Sequence, residues 1–347
     1  MMLIHLLGHS LSTPLPPPGP ACVGEPLQNG TCPHGLVVHS SACDPSLYDL
    51  VPLFHPGSKC NGENDPNGPL VYDGVYHLFF QDHVPMQVGG HVATEDFVTW
   101  RRLPVALWND RWWDKSAVWT FSATAVNGVP TIIYPGIVGS PNVSLGDCGH
   151  GPKKLGVGCF THAVAVPADL TDKWLVDWTK PDYNPIVTGI DIKNRDPSTA
   201  WRTAAGEWRY MDASANIYSS WDFVEWSNVG NLSATIGTGD CPDFFPVPRL
   251  CDGCADGDQS LPRLRPTHVR AGGFAGTYDL GTYAEGPANT TGSWTPLAST
   301  TRNVVDGNSP DVYYAAKSFQ DGARRIVWGW VSLVYLPLPF VRILLTI

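Results

Sequence analysis

Four short turns, each between two β-prone segments, constrain the fold of this chain more than any other feature. They are Asp73-Gly74, Asn127-Gly128, Ala205-Gly206-Glu207 and Asp321-Gly322. Asp-Gly and Asn-Gly pairs between alternating apolar residues favour two-residue β-hairpins, because both turn positions need a positive φ. The 35 Gly and 32 Pro among 347 residues also disfavour long helices. The sequence therefore predicts an all-β fold.

The spacing of these turns indicates a repeated unit. Successive turns lie roughly 50–80 residues apart, except for the last interval, which is long enough for two units. The additional unit is predicted to run from Asp243 to about His268. Five units with a central hairpin each are typical of a five-bladed β-propeller. A β-sandwich fits less well, since its turns would recur regularly every 8–12 residues or so.

Three regions differ in composition. Residues 1–49 form a Pro- and Cys-rich segment whose first residues are apolar but lack the basic start of a signal peptide, so a truncated gene start is an equal alternative. Residues 50–331 hold the predicted propeller. Residues 332–347 form an apolar tail that contains Pro337 and Pro339, which makes a poor membrane span. We interpret it as a divergent or truncated end, in which the last blade lacks a strand.

Charge and cysteine content suggest a compartment and exclude some partners. The net charge of −10 without a basic run argues against nucleic acid, and no membrane association is predicted. Nine cysteines fit an oxidising compartment, and their odd number leaves at least one thiol free or paired between chains. Cys148, His150, Cys159 and His162 leave a metal site open as an alternative, although a disulfide is preferred. Glycosylation sequons begin at Asn29, Asn142, Asn231 and Asn289. A secreted or vacuolar location follows.

Three acidic motifs precede strands of different units. They are Asn64-Asp65-Pro66-Asn67-Gly68, Asn194-Arg195-Asp196-Pro197 and Gly239-Asp240-Cys241-Pro242-Asp243. Acids at equivalent starts of inner propeller strands would converge on one mouth of the central channel. Two carboxyl groups about 5 Å apart are what a retaining glycosidase uses, one as nucleophile and one as general acid and base. Each motif alone also fits a turn or a structural ion pair.

These motifs, taken in order, resemble a known family. The chain is similar to glycoside hydrolase family 32, the invertases and fructan hydrolases, over about residues 50–331. The matching segments are residues 63–68, 77–81, 90–100, 119–124, 195–201, 240–247, 314–319 and 324–330.

The resemblance implies a role for each matched residue. Asp65 would be the nucleophile on the anomeric carbon, Asp196 would grip the ring hydroxyls with Arg195 beside it, and Asp240 would be the acid and base. Asn64, Gln81 and Ser122 would contact the sugar, and Trp119 would form a wall of its pocket. The substrate would be sucrose or a fructan. No metal or organic cofactor is implied.

Some residues depart from the family pattern. Asp240 replaces the usual Glu, which draws the carboxyl back by about 1.5 Å. Phe121 replaces a small residue near the pocket, and Gly89 stands where an aromatic residue is usual. The family's C-terminal β-sandwich is expected to be absent. A retaining β-fructosidase is therefore the first hypothesis, with fructosyl transfer to another sugar still open. A catalytically weak, sugar-binding propeller is the alternative.

Overall fold

Nearly all regular structure in this protein is β-strand. The computed structural model describes residues 63–84, 86–138, 160–247, 267–272, 277–296, 302–303, 313–322, 324–332 and 341–346. Within these ranges the strands form five antiparallel sheets that follow one another along the chain. The all-β prediction is confirmed, and the five successive sheets agree with the five-bladed propeller.

The first two sheets are built from residues 63–190. The first sheet pairs in the order β1-β2-β3-β4, which are Glu63–Tyr72, Val75–Val84, Met86–Thr94 and Arg101–Leu107. The second sheet contains β5 to β10, which are Ala117–Val118, Ser122–Val126, Val129–Ile137, Phe160–Pro167, Trp178–Thr179 and Val187–Ile190. Both β5 and β6 pair with β7, and both β9 and β10 pair with β8. The second sheet thus has six strands, in which β5 and β6 together flank β7 and β9 and β10 together flank β8.

The other three sheets follow the same pattern. The third sheet contains β11 to β14, which are Trp201–Arg202, Trp208–Met211, Asn216–Ser220 and Ser227–Asn231. A short helix, α1, spans Ser233–Ile236. The fourth sheet contains β15 to β19, which are Asp243–Val247, Thr267–Gly272, Thr277–Ala284, Ser293–Pro296 and Arg302–Asn303. The fifth contains β20, β21 and β22, which are Tyr313–Asp321, Arg324–Ser332 and Val341–Thr346.

The predicted turns connect the strands as expected. Tyr72 pairs with Val75, and the turn residues Asp73 and Gly74 have φ of 46° and 76°. Asn127 and Gly128 join β6 to β7 with φ of 51° and 86°. These positive values at both positions explain the choice of Asp, Asn and Gly. The additional unit begins at Asp243 as predicted, where β15 pairs with β16, but its sheet extends beyond His268 to Asn303.

Separate apolar cores fill the seams between neighbouring sheets. The seam that joins the first sheet to the fifth contains Leu78, Phe80, Val92, Phe319, Ile326 and Trp328. Polar contacts cross the same seam, because Tyr76 Oη donates to Asp321 Oδ2 at 3.0 Å and accepts from Arg324 Nη2 at 3.1 Å. The first and last sheets are therefore fixed to each other.

The C-terminal residues differ from the expected divergent tail. β22 pairs in continuous register with β21, from Val327 opposite Thr346 to Ser332 opposite Val341. The fifth sheet thus has a third strand, while Pro337 and Pro339 lie outside the described residues. The predicted segment 1–49 lies outside the described residues.

Candidate active site

The three acidic motifs converge at one end of the channel between the inner strands. Asp65 lies on β1, Asp196 lies shortly before β11, and Asp240 lies shortly before β15. Cys241 connects the three positions: its backbone N–H donates to Asp196 Oδ2 at 3.0 Å, and its Sγ lies 3.5 Å from Asp65 Oδ2. Residues separated by up to 176 positions in the sequence thus share one site.

The backbone at this end of the channel repeats one unusual conformation. Asp65, Asp196, Cys241 and Ala315 have φ of 42°, 57°, 50° and 54°, and each belongs to the inner chain segment of a different sheet. The β1–β2 pair shifts register between Asn64 and Pro66, and the β20–β21 pair does so between Tyr314 and Lys317. A left-handed non-glycine residue costs about 1–3 kcal/mol and persists where the surrounding structure requires it. Such strain concentrates at functional sites.

Asp65 is buried and surrounded by hydrogen-bond donors. Its Oδ2 accepts from Thr120 Oγ1 at 2.8 Å and from Gln81 Nε2 at 3.3 Å. Burial raises the pKa of the Asp65 carboxyl, and hydrogen bonds from Asn64, Thr120 and Cys241 partly offset that increase. Asp65 is therefore a rigidly held carboxyl group that is less acidic than a free aspartate.

Asp196 lies deeper, with 2% of its surface exposed. Burial raises its pKa to about 7, although the Arg195 guanidinium and the Cys241 N–H favour its charged form. Arg195 Nε lies 3.4 Å from Asp196 Oδ2. The carboxyl group thus titrates close to neutral pH.

Asp240 is the most exposed of the three acids, with 16% of its side chain accessible. Arg195 Nη2 donates to its Oδ1, and Tyr314 Oη donates to its Oδ2 at 2.9 Å. Arg195 therefore contacts two of the acids and fixes one relative to the other. The Asp240 carboxyl group is thus held by two partners and remains partly accessible to solvent.

The structure places the predicted sugar-contacting residues around these acids, with one difference. Gln81 and Asn64 form a chain to Asp65, because Asn64 Nδ2 donates to Gln81 Oε1 at 3.1 Å. Trp119 is half-buried, packs edge-on against Phe160, and has the Arg195 guanidinium 6.0 Å from its ring centre. The Ser122 hydroxyl instead donates inward, to the Pro197 carbonyl at 2.7 Å. A sugar contact by Ser122 stays a prediction.

A second set of polar groups fills the channel immediately below the acids, and we call it the channel plug: Ser122, Pro197, Pro242, Asp243, Lys317 and Ser318. Lys317 is 1% exposed. Its Nζ donates to Ser122 Oγ, Pro197 O and Pro242 O at 3.0, 3.2 and 2.8 Å. Ser318 N donates to Asp243 Oδ2 at 2.8 Å. One buried ammonium group thus connects the inner segments of four sheets.

Phe121 does not line the pocket, contrary to the position expected from its sequence. Its ring is fully buried in the core between the first and second sheets, with Phe79, Leu107 and Trp113. A Cβ atom added at Gly89 would lie 3.2 Å from the Phe121 ring and 2.9 Å from Leu107 Cβ. The ring therefore occupies the space into which a larger residue at position 89 would point.

A cavity of about 330 Å³ lies at the opposite end of the inner strands. Leu70, Thr124, Thr199, Phe319 and Arg325 are among the residues that line it. None of the three acids does. The carboxyl groups and this cavity therefore lie at opposite ends of the channel.

The cysteine and histidine pattern is only partly within the described residues. Cys241 is a buried free thiol, as the odd cysteine count allows. His162 is buried between Tyr210 Oη and the Asn194 carbonyl, each 2.8 Å from a ring nitrogen. Cys148, His150 and Cys159 lie outside the described residues. In the part of the chain that the structure describes, no helix is long and apolar enough to cross a bilayer.

Comparison with known families assigns the chain. The profile of the glycosyl hydrolases family 32 N-terminal domain matches residues 55–337. The chain belongs to this family. The resemblance that the motifs carry is confirmed, and the family match includes all three acids and the whole channel.

Plant members of family 32 are among the similar proteins. The acid β-fructofuranosidase of Phaseolus vulgaris is 34% identical over 307 residues, and the match covers 80% of this chain and 44% of that protein. The fructan 6-exohydrolase of Beta vulgaris is 32% identical, with 80% and 48% covered. The crystal structure of fructan 1-exohydrolase IIa from Cichorium intybus aligns with a TM-score of 0.62 at 30% identity, covering 80% of this chain and 52% of that one. The chain spans about half the length of these relatives.

Thr120, Tyr314 and Lys317 belong to the site or the channel plug, although the sequence pattern does not assign them a role. Thr120 contacts Asp65, Tyr314 contacts Asp240, and Lys317 fills the channel. All three lie in segments that resemble the family, at residues 119–124 and 314–319. Their position in these segments is the one sequence signal that points to them, but it does not show that Thr120 contacts Asp65 or that Tyr314 contacts Asp240.

Proposed function

We propose that this chain is the catalytic part of a retaining β-fructofuranosidase, which hydrolyses the β-fructofuranosidic bond of sucrose or of fructans. The observation that carries the proposal is the convergence of Asp65, Asp196 and Asp240 at one end of the channel in a family 32 chain. The names of the relatives support the substrate class, since they include β-fructofuranosidases and fructan exohydrolases.

In the first step, a carboxylate oxygen of Asp65 attacks the anomeric carbon of the fructosyl unit. The bond from that carbon to the leaving oxygen breaks, and the oxygen takes a proton from Asp240. The product is a covalent fructosyl–enzyme ester. Thr120 and Gln81 hold Asp65 still for this attack, because both donate to Oδ2.

In the second step, water replaces the enzyme. Asp240, now ionised, takes a proton from the water molecule as the oxygen attacks the anomeric carbon, and the bond to Asp65 breaks. Arg195 and Tyr314 keep Asp240 in place through both steps. Attack by a sugar hydroxyl instead of water would transfer the fructosyl group by the same chemistry.

Asp196 binds the sugar in this proposal. A buried carboxyl with a pKa of about 7 can donate to or accept from ring hydroxyls, depending on its protonation. The oxocarbenium-like transition state develops positive charge, which an ionised Asp196 stabilises. Trp119 offers an apolar face for the ring carbons.

The test is incubation with sucrose and with 1-kestose, followed by measurement of released fructose. Proton NMR in the first minutes should show the β-furanose form before mutarotation, as retention requires. A rapidly quenched reaction should yield the peptide that contains Asp65 with one fructosyl group attached. Saturable binding of sucrose without any fructose release would instead support the sugar-binding alternative.

A location in the secretory pathway is part of the same proposal. The sequon residues Asn231 and Asn289 are both exposed. Similar proteins include a vacuolar enzyme of a Rosa hybrid cultivar and an insoluble isoenzyme of Daucus carota. Treatment of the natural protein with an N-glycosidase should lower its mass, whereas an unchanged mass would contradict glycosylation.

A further inference from the structure

A chain of hydrogen bonds runs from the rim of the site to Asp65. Its outer end is His83, an exposed residue near the end of β2, whose Nε2 lies 2.5 Å from Asn64 Oδ1. Asn64 Nδ2 donates to Gln81 Oε1 at 3.1 Å. Gln81 Nε2 donates to Asp65 Oδ2 at 3.3 Å and to Thr120 Oγ1 at 2.8 Å. Two amide groups therefore connect the imidazole to the proposed nucleophile, and Asn64 also hydrogen-bonds to Asp65 itself.

The chemistry of the inner end fixes the direction of every bond in this chain. An ionised carboxylate only accepts hydrogen bonds, so Gln81 has to present its NH₂ group to Asp65. The Gln81 oxygen then faces Asn64, which has to present its own NH₂ group. The Asn64 oxygen is left facing His83. His83 must therefore carry a hydrogen on Nε2.

We propose that His83 is a positioning residue that keeps both amides in the orientation required by an ionised Asp65. The proposal rests on the nucleophilic role proposed for Asp65. Without a donor at position 83, a half-turn of the Asn64 and Gln81 amides is opposed only at the inner end of the chain, by Asp65 and Thr120. Gln81 would then present oxygen to Asp65, an arrangement that a carboxylate repels and a protonated carboxyl group accepts.

The surrounding charges are consistent with a neutral His83 that donates from Nε2. Although the His83 side chain reaches solvent, partial burial of its ring lowers its pKa, while the negative charges of Asp65 and Glu63 oppose this decrease. Glu63 is itself paired with Arg102, whose Nη1 lies 2.8 Å from Glu63 Oε1. Across the strand pair, Gln87 of β3 lies opposite His83. If the His83 donor is lost and the Gln81 oxygen turns toward Asp65, the Asp65 carboxyl group should become harder to ionise.

The kinetic test compares His83→Ala with His83→Gln. The amide of a glutamine can still donate to Asn64, although it cannot titrate. His83→Ala should lower kcat about three- to tenfold, the equivalent of one modest hydrogen bond, with an unchanged KM. The acidic limb of kcat/KM should move to higher pH. His83→Gln should stay within about twofold of wild type, as should the control Gln87→Ala on the facing strand.

Two kinetic outcomes would overturn the proposal. A rise in KM without a loss of kcat would make His83 a substrate contact. Equal losses in the alanine and glutamine variants would show that the donor is not what matters.

A second measurement does not depend on activity. Carboxyl ¹³C NMR can follow the titration of Asp65, and ¹⁵N NMR of the imidazole reports which ring nitrogen carries the hydrogen. We expect a hydrogen on Nε2 of His83 and a higher Asp65 pKa in His83→Ala than in wild type. Absence of fructose release by the wild-type protein would count against the proposed function alone. An unchanged Asp65 titration in His83→Ala would overturn the hydrogen-bond chain itself.

Discussion

Asp196 and Asp240 lie on the same inner chain segments as the plug residues Pro197, Pro242 and Asp243, one to three residues apart, and yet the acids and the channel plug differ in physical character. Around the acids the backbone is left-handed at Asp65 and Asp196, and burial raises the pKa of both carboxyl groups. In the plug, Lys317 has three acceptors and Asp243 receives the Ser318 N–H. The backbone around the acids is thus strained, and burial disfavours the charged forms of Asp65 and Asp196. In the plug, the Lys317 ammonium group is fully paired, although Asp243 Oδ1 lacks a hydrogen-bond partner among the described residues. We infer that the plug holds the propeller together while the acid layer carries the chemistry.

Asp65→Asn should give the largest effect and tests the functional half of this comparison. The substitution keeps the side-chain volume but removes the proposed nucleophile, so fructose release should fall by a factor on the order of 10⁴ or more. The free energy of unfolding at pH 7 should stay equal or rise, because the buried carboxylate is disfavoured in the folded state. Activity and urea unfolding curves measure both. Activity above a few per cent of wild type, with normal unfolding, would contradict the nucleophile role.

Lys317→Met tests the inference that the channel plug stabilises the propeller. Methionine fills a similar volume, but it leaves the carbonyls of Pro197 and Pro242 and the Ser122 hydroxyl without their shared donor. Breaking a buried charged network costs about 3–5 kcal/mol, so the urea midpoint should fall sharply. Lys173→Met is the matched control, since Lys173 forms an exposed pair with Glu95 at 2.7 Å and should cost less than about 1 kcal/mol. Similar losses in both variants would remove the distinction between plug and surface.

Substitutions of Asp240 sharpen the comparison within the acid layer. Asp240→Ala should lower sucrose hydrolysis by about 10²–10⁴-fold, because general acid–base assistance is lost. Hydrolysis of a fructoside with a good leaving group should fall much less, because its first step needs little acid assistance. Asp240→Glu extends the carboxyl group and should raise the rate on sucrose, if the shorter side chain limits proton donation. Equal losses on both substrates in Asp240→Ala would exclude the acid role.

Asp196→Asn tests how burial of a carboxyl group acts on stability, and its effect should appear in the pH dependence of unfolding. Asp196 keeps its proton up to about pH 7 in the folded protein, but only up to about 3.8 when unfolded. Its contribution to stability is therefore full below about pH 3.8 and is lost as the pH rises through 7. Relative to wild type, Asp196→Asn should gain about 1–3 kcal/mol between pH 4 and pH 8. Parallel stability curves for the two proteins would show that Asp196 is not disfavoured as an anion.

Much of the fold follows from local sequence chemistry. The Asp73-Gly74 and Asn127-Gly128 turns form where the pattern predicts them, because a turn depends on residues only a few positions apart. The three acidic motifs could also be found in this way. Each begins an inner segment, and repetition of one unit around an axis brings such positions together.

Other features depend on contacts between distant segments. Phe121 lies in the core because position 89 is glycine, 32 residues earlier in the sequence. Ser122 turns inward because Lys317 of the fifth sheet reaches it. The strand Val341–Thr346 exists because β21 offers it an edge, and not because its own composition requires one. None of these partners can be read from neighbouring residues.

The sequence by itself thus determined the strands, the turns and the acids, because each depends on short-range geometry or on its place within one repeated unit. The tertiary structure alone decided how those acids are protonated and held. Burial raises the pKa of Asp196 to about 7, and that burial exists only once separate sheets close around the channel. The orientation of the amides between His83 and Asp65 has the same origin. Chemical reactivity at this site is a property of the closed ring of sheets.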